Sequence, residues 1–272
     1  MRVAAIQLAP QFGLPDYNLD RALDLAAGTR AALYVLPELV TTGYQFVDRH
    51  EVKRYAEPVP EGRAVERIED FTRGSGSWVI AGLPEAAGDR IYNSAVLIGP
   101  QGFAGVYRKT HLFWNETRVF DPGNTGFRVF PIAGVNVGIM ICFDWIFPES
   151  ARTLALLDAD LIAVPSNLVL PWAQRAMVIR SLENRVYTVL ANRYGRESRG
   201  SQGELVFTGA SRITAPDGSI LGSAPAEGDA VIVADVDPDV ARNKAITPHN
   251  HLLNDRRPDY YLWGDEEEMV EE

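Results

Sequence analysis

Residues 135–165 of the chain read VNVGIMICFDWIFPESARTLALLDADLIAVP, and they decide the fold prediction. The apolar run at residues 135–143 is typical of a strand that is covered on both faces. Pro148 stands where the first turn of a helix accepts proline, and apolar residues continue a helical pattern through Leu157. A second apolar run at residues 161–165 predicts another strand. This alternation of strand and helix predicts an α/β core.

The same alternation continues in both directions along the chain. Strands are predicted over residues 3–9, 33–36, 78–83, 95–98, 103–109 and 186–191. Helices are predicted over a segment capped by Asn18 and over residues 64–72 and 173–185. The last third is rich in β-structure, with strands predicted over residues 206–214, 220–223 and 230–236. The sequence shows no internal repeat, so we predict one domain over residues 1–263 and a disordered acidic tail over residues 264–272.

The composition of the 272 residues is that of a globular protein. Apolar residues make up 46% and charged residues 23% of the chain, which excludes collagen-like and disordered classes. No apolar run approaches the 18 or so residues of a membrane span, and the first residues are too polar for a signal peptide. Cys142 is the single cysteine, so no intrachain disulfide can form. These features predict a cytoplasmic protein with no membrane partner.

The formal net charge of −10 is concentrated at the C-terminus. Six acidic residues and no basic residue lie between residues 264 and 272. Without those six, 26 basic and 30 acidic side chains leave a net charge of −4. A nucleic-acid partner requires a basic surface to replace counterions, and the sequence offers none. We therefore predict no nucleic-acid partner.

Three ionisable or nucleophilic side chains stand at the ends of predicted strands. Glu38 ends the run at residues 33–38, Lys109 ends the run at residues 105–109, and Cys142 ends the run at residues 137–142. Ligands of open α/β sheets bind beyond the carboxyl ends of the strands, so the three side chains are expected to converge. Each also has an ordinary interpretation: a small buried hydrophobe for the cysteine, a loop or cap residue for the glutamate and a solvated charge for the lysine.

The three side chains have complementary roles in nucleophilic catalysis. A free thiol has a pKa of about 8.5 and needs a neighbouring base or cation to act as a nucleophile at neutral pH. A carboxylate can take the thiol proton, and an ammonium can stabilise a developing oxyanion. Buried Lys109 and Glu38 would partly compensate each other's charge. The sequence thus predicts Cys142 as nucleophile, Glu38 as base and Lys109 as electrophilic stabiliser.

Histidines offer an alternative base and a possible metal site. His111 lies two residues after Lys109 and is the one histidine placed to serve as the base of a Cys–His pair. We favour a local role for it, in which its hydrogen bonds position the Lys109 segment. His249 and His251 have no cysteine or carboxylate partners at the spacing of a metal site. We predict no metal.

Three ordered motifs carry a family resemblance. They are LPELVTTGY at residues 36–44, YRKTHL at residues 107–112 and CFDWIFPE at residues 142–149. Through them the sequence resembles the nitrilase superfamily of carbon–nitrogen hydrolases over residues 1–263, and within it the small prokaryotic amidases and aliphatic nitrilases. The resemblance implies an α/β fold, a four-layer α-β-β-α sandwich, with no cofactor. It also implies a homodimer or a higher homo-oligomer.

The resemblance assigns roles to four catalytic residues. Glu38 would be the general base, Lys109 the electrophilic stabiliser and Cys142 the nucleophile. Glu116 matches a second glutamate that positions the substrate or assists the lysine in many members. The backbone N–H of Phe143 would be the second donor to the oxyanion.

The substrate pocket is predicted from side chains in and near these motifs. Tyr44, Phe113, Phe143, Trp145 and Asn167 are the predicted substrate-binding residues, and Trp114, Trp172 and Arg175 are further candidates. The predicted reaction is hydrolysis of a small aliphatic amide to an acid and ammonia through a thioester on the cysteine. Hydrolysis of a small nitrile is the alternative, followed by hydrolysis of an N-carbamoyl amine. The hypothesis from another functional class is a non-catalytic binding protein of the same fold.

Overall fold

A computed structural model describes residues 1–201 and 203–261 of the chain. These residues fall into two units, Met1–Arg242 and a smaller unit that begins at Asn243. The acidic tail predicted over residues 264–272 lies outside the described residues. In the part of the chain that the structure describes, no helix combines the length and the apolar composition needed to cross a membrane.

Short strands and helices alternate along the first unit. Its strands are β1 (Arg2–Gln7), β2 (Leu33–Val35), β3 (Glu57–Pro58), β4 (Trp78–Ala87), β5 (Arg90–Gly99), β6 (Gly102–Arg108), β7 (Val129–Ile132), β8 (Val135–Ile139), β9 (Leu161–Ser166), β10 (Tyr187–Asn192), β11 (Tyr194–Ser198), β12 (Glu204–Thr208), β13 (Arg212–Thr214), β14 (Ile220–Ser223) and β15 (Ala230–Asp235). Its helices are α1 (Pro15–Ala27), α2 (Arg49–Lys53), α3 (Arg63–Ser75), α4 (Glu116–Val119), a 3-10 helix (Cys142–Ile146), α5 (Pro148–Leu156), α6 (Ala173–Asn184) and α7 (Pro238–Arg242). The second unit contains β16 (Ala245–Thr247), β17 (Asn250–His251) and a 3-10 helix (Pro258–Tyr260).

Two mixed sheets of the first unit share one topology. The first sheet has the strand order β15-β1-β2-β4-β5-β6, with β3 also paired to β4, and the second has the order β7-β8-β9-β10-β13-β14. In each sheet three parallel strands are flanked on one side by one antiparallel strand and on the other by an antiparallel pair, whose outer strand runs in the direction of the three. The connecting helices also correspond, α1 and α3 in the first sheet and α5 and α6 in the second. The chain therefore forms a βαβαβ unit twice.

Alternate residues of β1 show how the layers stack. Val3 and Ala5 belong to an apolar core that contains strands of both sheets. Ala4 and Ile6 point to the other face and pack in a core that contains the apolar face of α1 and α3. Helices α5 and α6 contribute buried residues to the core of the second sheet. The layers are therefore helix, sheet, sheet and helix, which is the predicted α-β-β-α sandwich.

The start of α1 differs from the prediction. We expected Asn18 to cap this helix, but the helix begins at Pro15 and Leu14 is the residue before it. Proline fits the first turn because that turn leaves its N–H groups without helical partners. Asn18 lies within the helix, and its side chain is buried. Its Nδ2 donates hydrogen bonds to the carbonyls of Gln11 and Thr41 at 2.7 and 2.9 Å. The predicted cap was wrong because a proline three residues earlier already starts the helix.

The carboxyl ends of several strands meet at one edge of each sheet. In the first sheet β2 and β4 are parallel, and β6 has the same direction because it is antiparallel to β5, which is antiparallel to β4. In the second sheet β8, β9 and β10 are parallel. An isolated parallel bridge between Leu8, after β1, and Arg193, after β10, joins these edges of the two sheets. Residues that follow β2, β6, β8 and β9 are therefore gathered at one end of the sandwich.

Candidate active site

Glu38 lies in a tight turn after β2 that rests directly on β4. The N–H of Gly82 in β4 donates to the carbonyl of Pro37 at 3.2 Å, and the N–H of Val40 donates to the carbonyl of Gly82 at 2.9 Å. A Cβ atom at position 82 would lie 2.6 Å from the Cα of Glu38, which is closer than such atoms approach. Glycine at this position therefore allows the backbone of Glu38 to lie against the sheet.

Lys109 follows β6 directly, and its backbone is held on both sides. Its N–H donates to the carbonyl of Asn93 at 2.8 Å, and its carbonyl accepts from the N–H of Gly123 at 2.8 Å. A Cβ atom at position 123 would lie 2.1 Å from the carbonyl oxygen of Arg108, so a second glycine permits this contact. The Lys109 side chain then enters the interior, where none of it is exposed.

The Lys109 ammonium binds two buried carboxylates. Its Nζ lies 2.7 Å from Glu38 Oε1 and 2.8 Å from Glu116 Oε1. Burial of a single charge costs several kcal/mol, and it is tolerated here because each charge has a hydrogen-bonded partner of opposite sign. Two carboxylates share one ammonium. The cluster therefore carries an excess negative charge when both carboxylates are ionised.

Further donors hold one oxygen of each carboxylate and leave the other free. Asn93 Nδ2 donates to Glu38 Oε1 at 2.7 Å, and the Tyr44 hydroxyl donates to Glu116 Oε1 at 2.6 Å. Within residues 1–201 and 203–261, the buried Oε2 atoms of Glu38 and Glu116 have no hydrogen-bond partner. A buried acceptor without a partner costs free energy that a bound donor would recover. Each carboxylate thus offers one oxygen to a substrate or a proton.

Burial and neighbouring charge change the pKa values in this cluster. Burial raises the pKa of Glu116 to about 7, an effect that Lys109 opposes and Glu38 reinforces. Burial by itself would lower the pKa of Lys109, but the two carboxylates outweigh it and raise that pKa. Lys109 is therefore an ammonium at neutral pH, while Glu116 changes its protonation close to neutrality.

Cys142 is presented by a turn and does not end a strand. The predicted strand at residues 135–143 stops at Ile139, and Cys142 is the first residue of the 3-10 helix. Its φ is +42°, a left-handed conformation that costs a residue with a side chain on the order of 1 kcal/mol. Backbone strain of this kind is concentrated at functional sites. The strand prediction was too long because it followed apolar composition, which continues unchanged through the turn.

The surroundings of the Cys142 thiol keep it protonated at neutral pH. Burial raises its pKa well above the ordinary value, and the carboxylates of Glu38 and Glu116 raise it further. Lys109 and the backbone N–H of Asn167 act in the opposite direction with smaller effect. The thiol is therefore in electrostatic contact with the whole charged cluster. It needs a base that removes its proton as it reacts.

Two small cavities adjoin this cluster. The first encloses about 210 Å³ of empty space, open mouth included, and is lined by Cys142, four of the predicted pocket residues and three apolar neighbours, namely Phe113, Phe143, Trp145, Asn167, Leu168, Val169 and Leu170. The second encloses about 240 Å³ and is lined mainly by Tyr44, Gln45, Phe46, Trp114 and Glu116. Among the further candidates, Trp114 lines the second cavity, whereas Trp172 and Arg175 line neither. The walls of the first cavity are mostly apolar, whereas the second also has polar walls at Gln45, Asn115 and Glu116.

Asn167 joins the two sheets beside the cavities. It follows β9 in the second sheet, and its Nδ2 donates to the backbone carbonyl of Glu38 at 2.9 Å. Strands β2 and β9 hold corresponding places in the two sheets, so Glu38 and Asn167 are placed by equivalent parts of the repeated unit. The contact ties the turn that carries Glu38 to the second sheet.

His111 is engaged in a local hydrogen bond. Its Nδ1 lies 2.7 Å from Asp144 Oδ1, and its ring stacks on Phe147 with 3.8 Å between the ring centres. This arrangement matches the local role that we favoured over the role of a base. In the described part of the chain, no three His, Cys, Asp or Glu side chains are grouped as metal ligands.

Comparison with known proteins identifies the family. The model of the carbon–nitrogen hydrolase family matches residues 2–245, which is most of the chain. The chain belongs to the carbon–nitrogen hydrolase family. The predicted family, the predicted α/β sandwich and the prediction of an enzyme are thereby confirmed.

Relatives of this hydrolase include both nitrilases and amidases. A protein named nitrilase from Pyrococcus abyssi is 49% identical and aligns over 96% of this chain and 99% of its own. An (R)-stereoselective amidase from Pseudomonas sp. is 34% identical over 94% of this chain and 92% of its own. The crystal structure of an amidase from Nesterenkonia sp. has a TM-score of 0.76 and 26% identity, covering 95% of this chain and 94% of that one. A variant of that amidase carries the acetamide moiety of fluoroacetamide on its active-site cysteine.

Sequence analysis of the hydrolase missed several residues around the charged cluster. Asn93 was not singled out, although it is a buried polar residue in the mostly buried strand β5, and a polar residue in such a strand is the signal that could have revealed it. Glu197 accepts hydrogen bonds from the backbone N–H groups of Tyr44 and Gln45 at 3.1 and 2.7 Å and pairs with buried Arg193. This pair holds the Tyr44 segment, and no local pattern connects residues so far apart in sequence.

Proposed function

We propose that this hydrolase cleaves small aliphatic primary amides to a carboxylic acid and ammonia. Cys142 is the nucleophile, Glu38 the general base, Lys109 the electrophilic stabiliser and Glu116 the residue that positions the substrate. The observation that carries the proposal is the buried Glu38–Lys109–Glu116 cluster, in which each carboxylate keeps one free oxygen, next to the cavity lined by Cys142.

The proposed acylation step uses the free oxygen of Glu38. Because the thiol is protonated at rest, Glu38 Oε2 accepts the proton as Sγ of Cys142 attacks the amide carbon. The Lys109 ammonium and the N–H of Phe143 stabilise the oxyanion of the tetrahedral intermediate. Glu38 returns the proton to the nitrogen, the C–N bond breaks, ammonia leaves and a thioester remains.

Deacylation uses the same carboxylate as a base again. Glu38 takes a proton from water, and the resulting hydroxide attacks the thioester carbon. The C–S bond breaks, the carboxylic acid leaves and the proton returns to Sγ. One base therefore serves both half-reactions, and the products are the acid and ammonia.

The free oxygen of Glu116 favours an amide over a nitrile. Oε1 of this carboxylate already accepts hydrogen bonds from Lys109 and Tyr44, whereas the buried Oε2 needs a donor. The NH₂ group of a primary amide can donate to it, but a nitrile has no N–H group. A site built to bind an N–H group discriminates strongly against a substrate that lacks one. The proposed substrate class follows from this acceptor.

The cavities favour a short, uncharged acyl group. Both cavities are small, and aromatic and aliphatic side chains form most of the walls of the cavity that contains Cys142. Arg175, the one basic side chain among the pocket candidates, lines neither cavity. A chain of a few carbon atoms fits such walls, because apolar surfaces bury apolar groups with the smallest desolvation cost.

Nitrile hydrolysis is the second candidate. It is favoured by one observation, the relative from Pyrococcus abyssi that is named nitrilase and is 49% identical to this chain. The same nucleophile, base and ammonium would serve it. Hydrolysis of an N-carbamoyl amine ranks third, since the plant N-carbamoylputrescine amidases among the relatives are about 30% identical.

Matched substrate pairs test the proposed reaction. We expect propionamide and butyramide to be hydrolysed with a kcat/KM about 10²-fold or more above that of propionitrile and butyronitrile, because only the amides donate to Glu116. Ammonia release measures all four reactions, and N-carbamoylputrescine is added as a fifth substrate. Nitriles that react as fast as the amides would replace the first candidate by the second, and hydrolysis of the carbamoyl amine alone would favour the third.

We also propose that the hydrolase forms a homodimer and acts in the cytoplasm. Large exposed apolar side chains lie on α5, α6 and the residues next to them, namely Ile146, Leu156, Leu157, Trp172, Ile179 and Leu182. These elements pack against one another, so the side chains share one side of the sandwich. A second copy could cover such a patch, which is unusual on a monomer. The single cysteine must stay reduced to react, which fits a reducing compartment.

Light scattering after gel filtration tests the homodimer. The native chain of 30.0 kDa is expected to elute with twice that mass. Leu182→Glu places a charge in the proposed interface and is expected to shift the protein to monomer. Leu14→Glu is the matched control, because Leu14 is equally exposed but lies beside α1, on the opposite outer layer. A native monomer, or equal behaviour of the two variants, would contradict the proposal.

A further inference from the structure

The Asp144 carboxylate is buried and accepts four hydrogen bonds. Oδ2 accepts from the Tyr107 hydroxyl at 2.7 Å and from the N–H of Ile141 at 2.9 Å. Oδ1 accepts from the N–H of His111 at 3.1 Å and lies 2.7 Å from the Nδ1 atom of the same residue. None of Asp144 is exposed. A carboxylate has about four acceptor positions, so this one is fully occupied within the protein.

The partners of Asp144 belong to two separate parts of the site. Tyr107 and His111 stand two residues before and two residues after Lys109, which follows β6 in the first sheet. Ile141 directly precedes Cys142, and Asp144 itself lies two residues after it, in the turn that follows β8 in the second sheet. One carboxylate therefore joins the segment that carries the ammonium to the turn that carries the thiol.

The same carboxylate closes the turn around Cys142. The N–H of Ile141 donates to Asp144 Oδ2, and the N–H of Asp144 donates in return to the carbonyl of Ile141 at 3.1 Å. These two bonds enclose Cys142 and Phe143. They hold Cys142 in its left-handed conformation, with φ at +42°, and they fix the direction of the Phe143 N–H group.

A role in proton transfer does not fit this arrangement. All acceptor positions of Asp144 are used by donors of the protein, and the residue does not line the cavity beside Cys142. Its contacts act on the backbone of Ile141, which precedes Cys142, and on Tyr107 and His111, which stand two residues to either side of Lys109. The effect on the reaction must then pass through the placement of other groups.

We propose that Asp144 is a positioning residue that sets the placement of Cys142 relative to the Lys109 ammonium. The proposal rests on the proposed function of these two residues. Displacement of a catalytic group by about 1 Å costs about 10²-fold in rate. Loss of the Asp144 contacts should therefore reduce kcat far more than it changes KM, because most residues that line the two cavities lie outside the turn that Asp144 closes.

Asp144→Asn tests the proposal with little change in shape. The amide keeps one acceptor oxygen, but its NH₂ group faces donors that Asp144 accepts from. We expect kcat to fall about 10²-fold or more and KM to change less than about threefold. Tyr107→Phe removes one of the four hydrogen bonds and is expected to lower kcat about three- to tenfold, again with KM nearly unchanged.

Asp160→Asn is the matched control. Asp160 is also a buried aspartate that joins distant segments, since it accepts from the N–H of Asn136 at 2.8 Å and pairs with Arg242 at 2.9 Å. This variant is expected to lower the melting temperature and leave kcat per folded molecule within about twofold of the native value. All variants are measured on an amide that the native protein hydrolyses, so the outcome is separate from that of the proposed function.

Equal values of kcat for Asp144→Asn and Asp160→Asn, per folded molecule, would overturn the proposal. If Asp144→Asn fails to fold, Tyr107→Phe decides, because loss of one hydroxyl leaves the packing of the ring on Phe127 in place. A native kcat in Tyr107→Phe would then overturn the proposal, and a lowered kcat with native KM and native melting temperature would support it.

Discussion

Cys142→Ala is expected to lower kcat for amide hydrolysis by about 10⁴-fold or more, because the thioester cannot form without the sulfur. The folded state should survive the change. Alanine leaves a cavity of one sulfur atom in a residue that is 5% exposed, which costs about 1 kcal/mol of the free energy of unfolding. Ammonia release measures the first effect, and thermal unfolding measures the second.

Two comparisons make the Cys142→Ala result specific. Cys142→Ser keeps a nucleophile of similar shape, but a hydroxyl is a weaker nucleophile at neutral pH, so kcat should again fall by several orders of magnitude. Both variants should still bind the amide, because the cavity walls and the free oxygen of Glu116 are unchanged. Turnover by Cys142→Ala within tenfold of the native rate would remove the nucleophile assignment.

Glu38→Gln is expected to lower kcat by about 10³- to 10⁴-fold by stopping both half-reactions. In the structure this substitution leaves the hydrogen bonds to the other oxygen of the side chain unchanged. The glutamine oxygen can keep the bonds that Lys109 and Asn93 donate to Oε1, while the NH₂ group takes the place of the free Oε2. The variant thus loses the oxygen that accepts the proton and keeps the rest of the cluster.

Glu116→Gln is the matched control for Glu38→Gln. Its oxygen can likewise keep the bonds from Lys109 and Tyr44, and the NH₂ group replaces the oxygen that would bind the substrate. We expect a smaller loss, about 10- to 100-fold, mainly in acylation. Mass spectrometry of rapidly quenched enzyme follows the acyl-enzyme. A normal burst of acyl-enzyme in Glu38→Gln would contradict the role of Glu38 as base.

The sequence alone was sufficient to predict that the side chains of Glu38 and Lys109 lie close together. Both follow strands whose apolar pattern is clear, and strand direction alone places their side chains at one end of the first sheet. Their hydrogen bond at 2.7 Å is what this reasoning leads one to expect. The contact with Glu116 depended on family resemblance, because Glu116 stands in a short helix that no periodic pattern reveals.

Other parts of the site could not be predicted from local patterns. The turn at Cys142 is as apolar as the strand before it, so composition did not mark where the strand ends. The contacts of Glu197 with the Tyr44 segment join residues about 150 positions apart and depend on the assembled sandwich. Propensity describes neighbours in the chain, whereas these contacts are set by tertiary packing.

The repeated βαβαβ unit was also invisible in the sequence. Sheet topology depends on the order of apolar segments and helices, which many different residues satisfy. Glu38 and Asn167 show how far the two copies differ. They follow the equivalent strands β2 and β9, but the first is a carboxylate and the second an amide. The architecture is duplicated, but the chemistry is not.

Because Glu38 and Lys109 are carried by one sheet and Cys142 by the other, the spacing of the two sheets determines how far the base lies from the sulfur. Sheets in such sandwiches pack about 10 Å apart, and the side chains between them set that separation. Small residues in this layer, such as Ala5 and Ala95, are remote from the reacting atoms in sequence and still define the gap. A bulkier residue at one of these positions would increase the separation of the two sheets. The reactivity of the sulfur therefore depends on residues in the protein interior, and substitutions that do not contact the substrate can change it.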